Sequence, residues 1–355
     1  EAVDPIEPGP QLPAVDGPSQ PLAARPDHRF CTLTSPRLLE APRRLSDTHC
    51  FSDLATLTPA PDMIPYWLRS PLWTDGAHKL RHVVLPPGER IGFTAAGQWQ
   101  WPLGSIVVKT FVLQRDLDDA STRFPVETRF MLLEAGGWRF YSYRWNDGAT
   151  DAELLDDKLK VDIADIGGRT LPYYFPDEKG CQSCHADNAL GPVTEQLNVE
   201  LDYLPAEPAS GVFNQLEQMA AIGMFTAPIG DASALPRVTR PEDVTASLQE
   251  RARSYLHGNC AHCHQPGGWT PPEMDMDLRY DVPLGAARIC GVKTQFDTVY
   301  KQGKLRIDPG NPTGSSLYNR MVLLGAQRMP PVGTAWSDPL GDQLVFDWIS
   351  GLTCE

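Results

Sequence analysis

Two five-residue runs, Cys181-Gln182-Ser183-Cys184-His185 and Cys260-Ala261-His262-Cys263-His264, constrain this chain more than any other feature. Each sets two thiols three residues apart and follows the second directly with an imidazole. That spacing lets both sulfurs of a run add to the vinyl groups of one haem while the histidine reaches the iron as proximal ligand. The thiol pairs alone fit two other chemistries. Together they supply an all-cysteine tetrahedral zinc site, and an exported Cys-x-x-Cys also serves thiol–disulfide exchange. Zinc has no need of the two histidines. With 8 His in 355 residues, the chance that both pairs are followed by one is of order one in a few thousand. Exchange sites normally sit in a thioredoxin-like βαβ frame, and the sequence around both runs lacks that pattern. Two covalently attached haem c groups are the expectation, with Cys181, Cys184, Cys260 and Cys263 as attachment points and His185 and His264 on iron.

Covalent haem of this kind implies an oxidising compartment, and the other four cysteines read the same way. Cys31, Cys50, Cys290 and Cys354 stand alone in the sequence, an even set that suggests disulfides pairing Cys31 with Cys50 and Cys290 with Cys354. Buried free thiols packing as small hydrophobes are the alternative. A periplasmic or extracellular location is expected, with the opening "EAVDPIEPGP" suiting a chain whose export signal is already gone. No stretch approaches the roughly 18–20 apolar residues of a membrane span. The formal charge of -14 argues against nucleic acid and anionic membrane surfaces as partners, while an acidic face suits a basic redox partner protein.

The texture of the chain changes twice. Seven prolines crowd the first 27 residues, so residues 1–28 read as an extended Pro-rich tail. Residues 29–175 carry short apolar runs broken by Gly, Pro and Asp, the pattern of an antiparallel β-sandwich. Around Gly136 and Gly137, alternation sets Trp138 and Phe140 on one face and Arg139, Tyr141 and Tyr143 on the other. After residue 176 the strand signals stop. Residues 176–235 form a first haem-binding segment in which Leu216 and Met219 share a helix face. Residues 236–355 form a second haem domain. Its first helix has a capping-box signal at Thr239 and Glu242 with Pro241 in the first turn, then Val244, Leu248, Ala252 and Tyr255 along one stripe. Its last helix reads from Ser337 as cap to Gly351 as stop, with Leu340, Leu344, Trp348 and Ile349 on one face. The fold class is α+β: antiparallel β first, mainly helical haem-binding regions after.

For the second haem a distal ligand is legible. "QRMPPVG" presents Met329 on a proline-stiffened loop just before the last helix, ahead of Met274, Met276 and Met321 as alternatives. His/Met ligation fills both axial positions and favours electron transfer. For the first haem the candidates stay open: Met219 and Met224 on a downstream helix, His49, His78 and His82 from the β domain, His257 and His262 beside the second motif, and Lys79 or Lys109 as a deprotonated amine.

Residues 240–352 resemble a class I cytochrome c domain, in which first and last helices pack across each other beside the haem. From about residue 46 the chain is similar to an exported family of dihaem c-type cytochromes of largely unassigned function. The matching stretches are "SPLWTDGAHKLR", "WPLGSIVVKTF", "GWRFYSYRWN", "CQSCH", "NQLEQMAAIGMF", "NCAHCHQPGG", "PGNPTGSSLYNRM" and "RMPPVG". The resemblance implies two c-type haems behind an N-terminal β domain, with Met329 as a distal ligand, and implies neither a reaction nor a partner. The leading expectation is a carrier that moves electrons between an exported oxidoreductase and another redox protein. A dihaem peroxidase-like enzyme with a reactive first haem, and a relay or docking subunit of a larger dehydrogenase, are the rivals.

Overall fold

The computed structural model describes residues 22–33, 40–185, 188–203, 211–271, 273–295, 303–325 and 327–354. A hairpin of β1 (Phe51–Asp53) and β2 (Thr58–Pro59) precedes the main sheet. Six strands then pair in sequence order, every neighbour antiparallel: β3 (Ile64–Pro65), β4 (His78–Val84), β5 (Ile106–Gln114), β6 (Arg123–Glu134), β7 (Gly137–Trp145) and β8 (Ala152–Leu154). The two-residue period of a strand divides their side chains between two faces.

On one face Leu80, Val108, Phe130, Leu132 and Tyr143 join Cys31, Leu33, Leu45 and Cys50 in a single buried cluster. The Cys31–Cys50 disulfide lies inside it, as the sequence predicts. Closing a loop of 19 residues is worth roughly 3 kcal/mol in the chain-entropy account. On the other face Val83, Val107, Met131 and Phe140 pack at one end against Leu197, Leu216, Met219 and Met224 from the segment after Pro176. At the opposite end Phe111 and Leu113 pack against the hairpin of β9 (Leu159–Ile166) and β10 (Arg169–Phe175). Among the described residues the layers over the sheet are thus hairpins, helices and coil. Alternation specifies which side chains turn inward, not what covers them. The expected split around Gly137 holds, with Trp138 and Phe140 in one cluster and Tyr143 in the other.

The segment joining the halves holds α1 (Glu178–His185), α2 (Thr194–Leu197), a hairpin of β11 (Glu200–Tyr203) and β12 (Gly211–Asn214), and α3 (Gln215–Ala221). Strand pairing therefore continues past residue 176, contrary to the sequence reading. This hairpin is short and backed by few apolar residues, so it leaves little periodicity. Most of the Pro-rich tail lies outside the described residues. Its last part docks: Leu22 packs on the sheet's second cluster and the Arg25 guanidinium donates to Gly223 O at 3.1 Å and Pro86 O at 3.2 Å.

The C-terminal region is helical: α4 (Leu248–Cys260), α5 (Ser316–Val322) and α6 (Pro339–Ser350). Two caps differ from the sequence reading. Ser247 and Glu250 form the capping box of α4, whereas Thr239 spends its hydroxyl on Tyr280 at 2.9 Å and Val244 is exposed. Asp338, one residue after Ser337, caps α6 by accepting from Leu340 N. In each case the residue next to the first turn reaches the open N–H groups that a more distant one cannot. Helices α4 and α6 pack through Ala252, Tyr255, Leu256, Leu344, Val345 and Trp348. The second expected disulfide, Cys290–Cys354, ties the end of the chain to this region.

The approach of α4 to α6 is closest at Gly341, where an added Cβ would sit 2.1 Å from Tyr255 Cζ. Gly341→Ala must push the helices apart or displace the Tyr255 ring. It should lower stability by about 1–3 kcal/mol, read as a lower thermal midpoint, while Gly285→Ala, which meets open space, should leave the midpoint nearly unchanged.

Candidate functional site

The segment between β3 and β4 brings the two halves together. Gln215 grips the Trp67 backbone with its amide, accepting from Trp67 N at 2.8 Å and donating to Trp67 O at 3.0 Å. Gln196 does the same to Ser70, at 2.9 and 3.2 Å. From there Ser70 Oγ donates to Ser254 O at 2.9 Å, and Trp73 N donates to Asn259 Oδ1 at 2.7 Å. The buried Asp75 carboxylate accepts from Ala335 N and Trp336 N at 2.8 and 2.7 Å. Helix α4 passes so close that a Cβ on Gly258 would lie 2.3 Å from Ser70 O. Three of these residues, Ser70, Trp73 and Asp75, lie close together in the stretch "SPLWTDGAHKLR".

This docking leaves a cavity of about 450 Å³ between the sheet, α1 and the C-terminal region, within the 300–1,000 Å³ range of cofactor and ligand sites. Cys181, Cys184 and His185 line it from α1, Ala261 and His262 from the second motif with Gln265 just after it, and Pro330 and Val332 from the loop after Met329. The Asp177 carboxylate accepts from Gly180 N at 2.7 Å at the start of α1, and Arg139 Nε donates to Glu178 at 2.7 Å, holding the helix to β7. The Phe140 ring lies 5.5 Å from the His185 ring.

His185 has the features of a metal-binding imidazole. Its Nδ1 lies 3.3 Å from Asn188 O. A carbonyl only accepts, so Nδ1 carries the proton and Nε2 keeps its lone pair for a metal. Burial, and then the Lys109 charge, push its pKa down to about 3, so the ring is neutral. Burial lowers His264 to about 4, and its Nδ1 is buried without a hydrogen-bond partner among the described residues. Burial raises Cys181 to about 11 and Cys260 to about 12, keeping both as thiols. The residues of the first motif therefore fit a covalently held haem in volume, donor set and tautomer. The second motif supplies the same donor set in tighter surroundings: Cys260 and Met329 line one pocket of about 20 Å³, with Met321 also on its wall.

The two motifs meet. The ligating atoms of Cys184, His262 and Cys263 all lie within 4.8 Å of one another. Hydrogen bonding from Cys263, opposed by burial and aided by His262, holds the Cys184 thiol well below its usual range, and the same bond pushes Cys263 up. Neither motif by itself indicates this contact, because it joins residues far apart in the chain.

The residues expected as candidate distal ligands for a haem at the first motif differ in where the fold puts them. Lys79, Lys109, His257 and His262 line the cavity. Met219 and Met224 are fully buried in the sheet's apolar cluster. His49 is exposed. His82 stands in register with Val108 and Phe130, on the sheet face turned away from the cavity. His78 has the same strand parity. Alternation alone distinguishes Lys79 and Lys109 from His78 and His82, once the sheet's second face is known to carry the cavity.

The chain matches no protein-family profile, no curated protein and no solved structure.

His82 is a clean probe of the sheet. Burial lowers its pKa to about 4, below the ordinary value near 6.5. As pH falls from 6.5 towards 4, the unfolded chain takes up a proton that the folded one refuses, so stability is lost at up to about 1.4 kcal/mol per pH unit. Denaturant melts at pH 7 and pH 5 should show this loss, and His82→Leu should remove about 2 kcal/mol of the difference.

Proposed function

We propose that this chain is an exported dihaem c-type cytochrome that passes electrons between a partner oxidoreductase and another redox carrier. The meeting of the two Cys-x-x-Cys-His motifs across the docked halves, with Cys184 beside Cys263, carries this reading. Attachment at Cys181 and Cys184 on one side and Cys260 and Cys263 on the other sets the two groups next to each other at this boundary. A haem at each motif supplies a one-electron iron couple.

The chain's own residues do the rest. Asn188 O fixes the His185 tautomer and leaves Nε2 to the metal. Burial keeps both histidines neutral, and Val107, Met131 and Phe140 give the first site an apolar wall. Met329, on the wall shared with Cys260, is the distal ligand in this reading, and a thioether there raises the potential of the second haem. The close packing of α4 on α6 supports a class I cytochrome c-like C-terminal domain. The two disulfides suit an oxidising, extracytoplasmic compartment. No described helix is long and apolar enough to cross a membrane, and the formal charge of -14 suits a basic redox protein as partner.

A second reading rests on the same contact. Cys184, His262 and Cys263 offer two sulfurs and an imidazole to one ion, the ligand set of an open zinc site. The intact mass of protein made with a haem-attachment system separates the two. Two added haem masses that survive denaturation are expected. An unmodified polypeptide that retains zinc would establish the second reading instead. In the dihaem protein, Met329→Ala should convert one of the two haems to a form that binds carbon monoxide, and unchanged spectra would remove Met329 as a ligand.

A further inference from the structure

The floor of the large cavity is charged in a way the fold does not explain. Arg81 on β4 stands opposite Lys109 on β5, and Lys109 stands opposite Arg129 on β6. Lys79 lies two residues before Arg81 on the same face, and all four line the cavity. Like charges placed directly across neighbouring strands repel, and buried cations demand a partner. Arg129 has one: Glu127 takes both arms of its guanidinium at 2.7 Å, with Tyr173 also on that carboxylate at 2.8 Å. The other three are in no ion pair among the described residues. Lys79 Nζ donates to Leu72 O at 2.5 Å, Arg81 donates to Lys79 O at 3.2 Å, and Arg81 Nε is buried with no partner, on a residue 8% exposed. Asp75, whose charge acts on Lys79, is committed to the backbone of residues 335 and 336, and Asp338, which Lys79 also influences, is committed to the N-terminus of α6. Among the described residues Glu195 and Asp281 are the acids on the cavity wall, and of the other cations there Arg237 pairs with Glu200 and Arg279 with Asp277.

We propose that the cross-strand row of Arg81 and Lys109, with Lys79 beside it, is a carboxylate-binding site on the cavity floor next to His185. The guanidinium supplies a planar fork for a carboxylate and the two ammonium groups add point charges. Burial together with Arg81 and Arg129 presses Lys109 down to about 7, a measure of how much positive charge the row holds without an anion. Placing such a row inside an otherwise acidic chain confines the attraction for anions to one enclosed place.

The carboxylate has two possible sources, a propionate of a haem held by the first motif or a small free carboxylate. The first rests on the dihaem reading and the second does not. The test uses the purified full chain and its Arg81→Gln, Lys109→Met and Lys109→Arg variants, each first checked for haem content by mass and for folding by circular dichroism. Malonate is the probe for a free carboxylate, titrated by calorimetry at low and high salt. If malonate is the kind of ligand held, it binds the parent protein, weakens with salt, and loses at least tenfold in affinity in Arg81→Gln and Lys109→Met but not in Lys109→Arg. If a propionate occupies the row, malonate does not bind. One haem then changes its reduction potential, and the pH dependence of that potential, in Arg81→Gln and Lys109→Met, with Lys109→Arg restoring both. Absence of malonate binding together with unchanged potentials in every variant overturns the assignment. Loss of the first haem's low-spin spectrum in both Lys109 variants, with malonate binding and the pH dependence unchanged in Arg81→Gln, also overturns it by making Lys109 an iron ligand. A chain that carries no haem but binds malonate through the row sinks the dihaem reading and leaves the carboxylate site standing.

Discussion

The seam between the sheet and the C-terminal helices, made by residues 67–76, is the constraint on which the rest depends. Two buried glutamine side chains act there as strand-like partners for the backbone at Trp67 and Ser70. Ser70, Trp73 and Asp75 then bond outward to Ser254, Asn259, Ala335 and Trp336. These are mainly backbone groups that would be orphaned if the halves separated, and buried orphans cost more than such bonds gain. The absence of a side chain at Gly258 permits the contact. Everything of chemical interest lies along this seam: the large cavity, the contact of Cys184 with Cys263, and the wall that Cys260 shares with Met329.

The same seam sets the electrostatics. A sheet face that is apolar at both ends carries cations in the middle, where the cavity is. One of them is neutralised by Glu127, itself fully buried and tied by Ser142 and Tyr173. That pairing shows what this environment requires of a charge, and its absence at Arg81 and Lys109 is why the row points to a ligand rather than to packing. The surrounding acidity of the chain makes the contrast sharper, since nothing in the bulk composition predicts a basic interior.

Much of the architecture was legible because it is local. Alternation assigned Trp138 and Phe140 to one face and Tyr141 and Tyr143 to the other, and the even set of lone cysteines suggests the two disulfides that the fold contains. The errors were also local, and they came from competition. Thr239 carries a capping signal as good as that of Ser247, but its hydroxyl is taken by Tyr280 and its carbonyl by Ser254, partners supplied by folding. The pairing of β11 with β12 leaves no readable period because each strand is four residues long.

By itself the sequence determined the donor set. Thiol, thiol and imidazole at fixed spacing are a property of consecutive residues on one turn, and they specify what chemistry each motif suits wherever it lies. It also determined the order of β before α, while the pairing of the four lone cysteines was suggested by their even number and fixed by the fold. Only the tertiary structure decided that the two motifs touch, that Lys79, Arg81 and Lys109 rather than His78 and His82 face the first of them, and that their charges share one enclosed space. The reason is register. Which face of a strand meets a cavity depends on what packs there, and shifting the pairing by one residue exchanges every lysine and histidine in question.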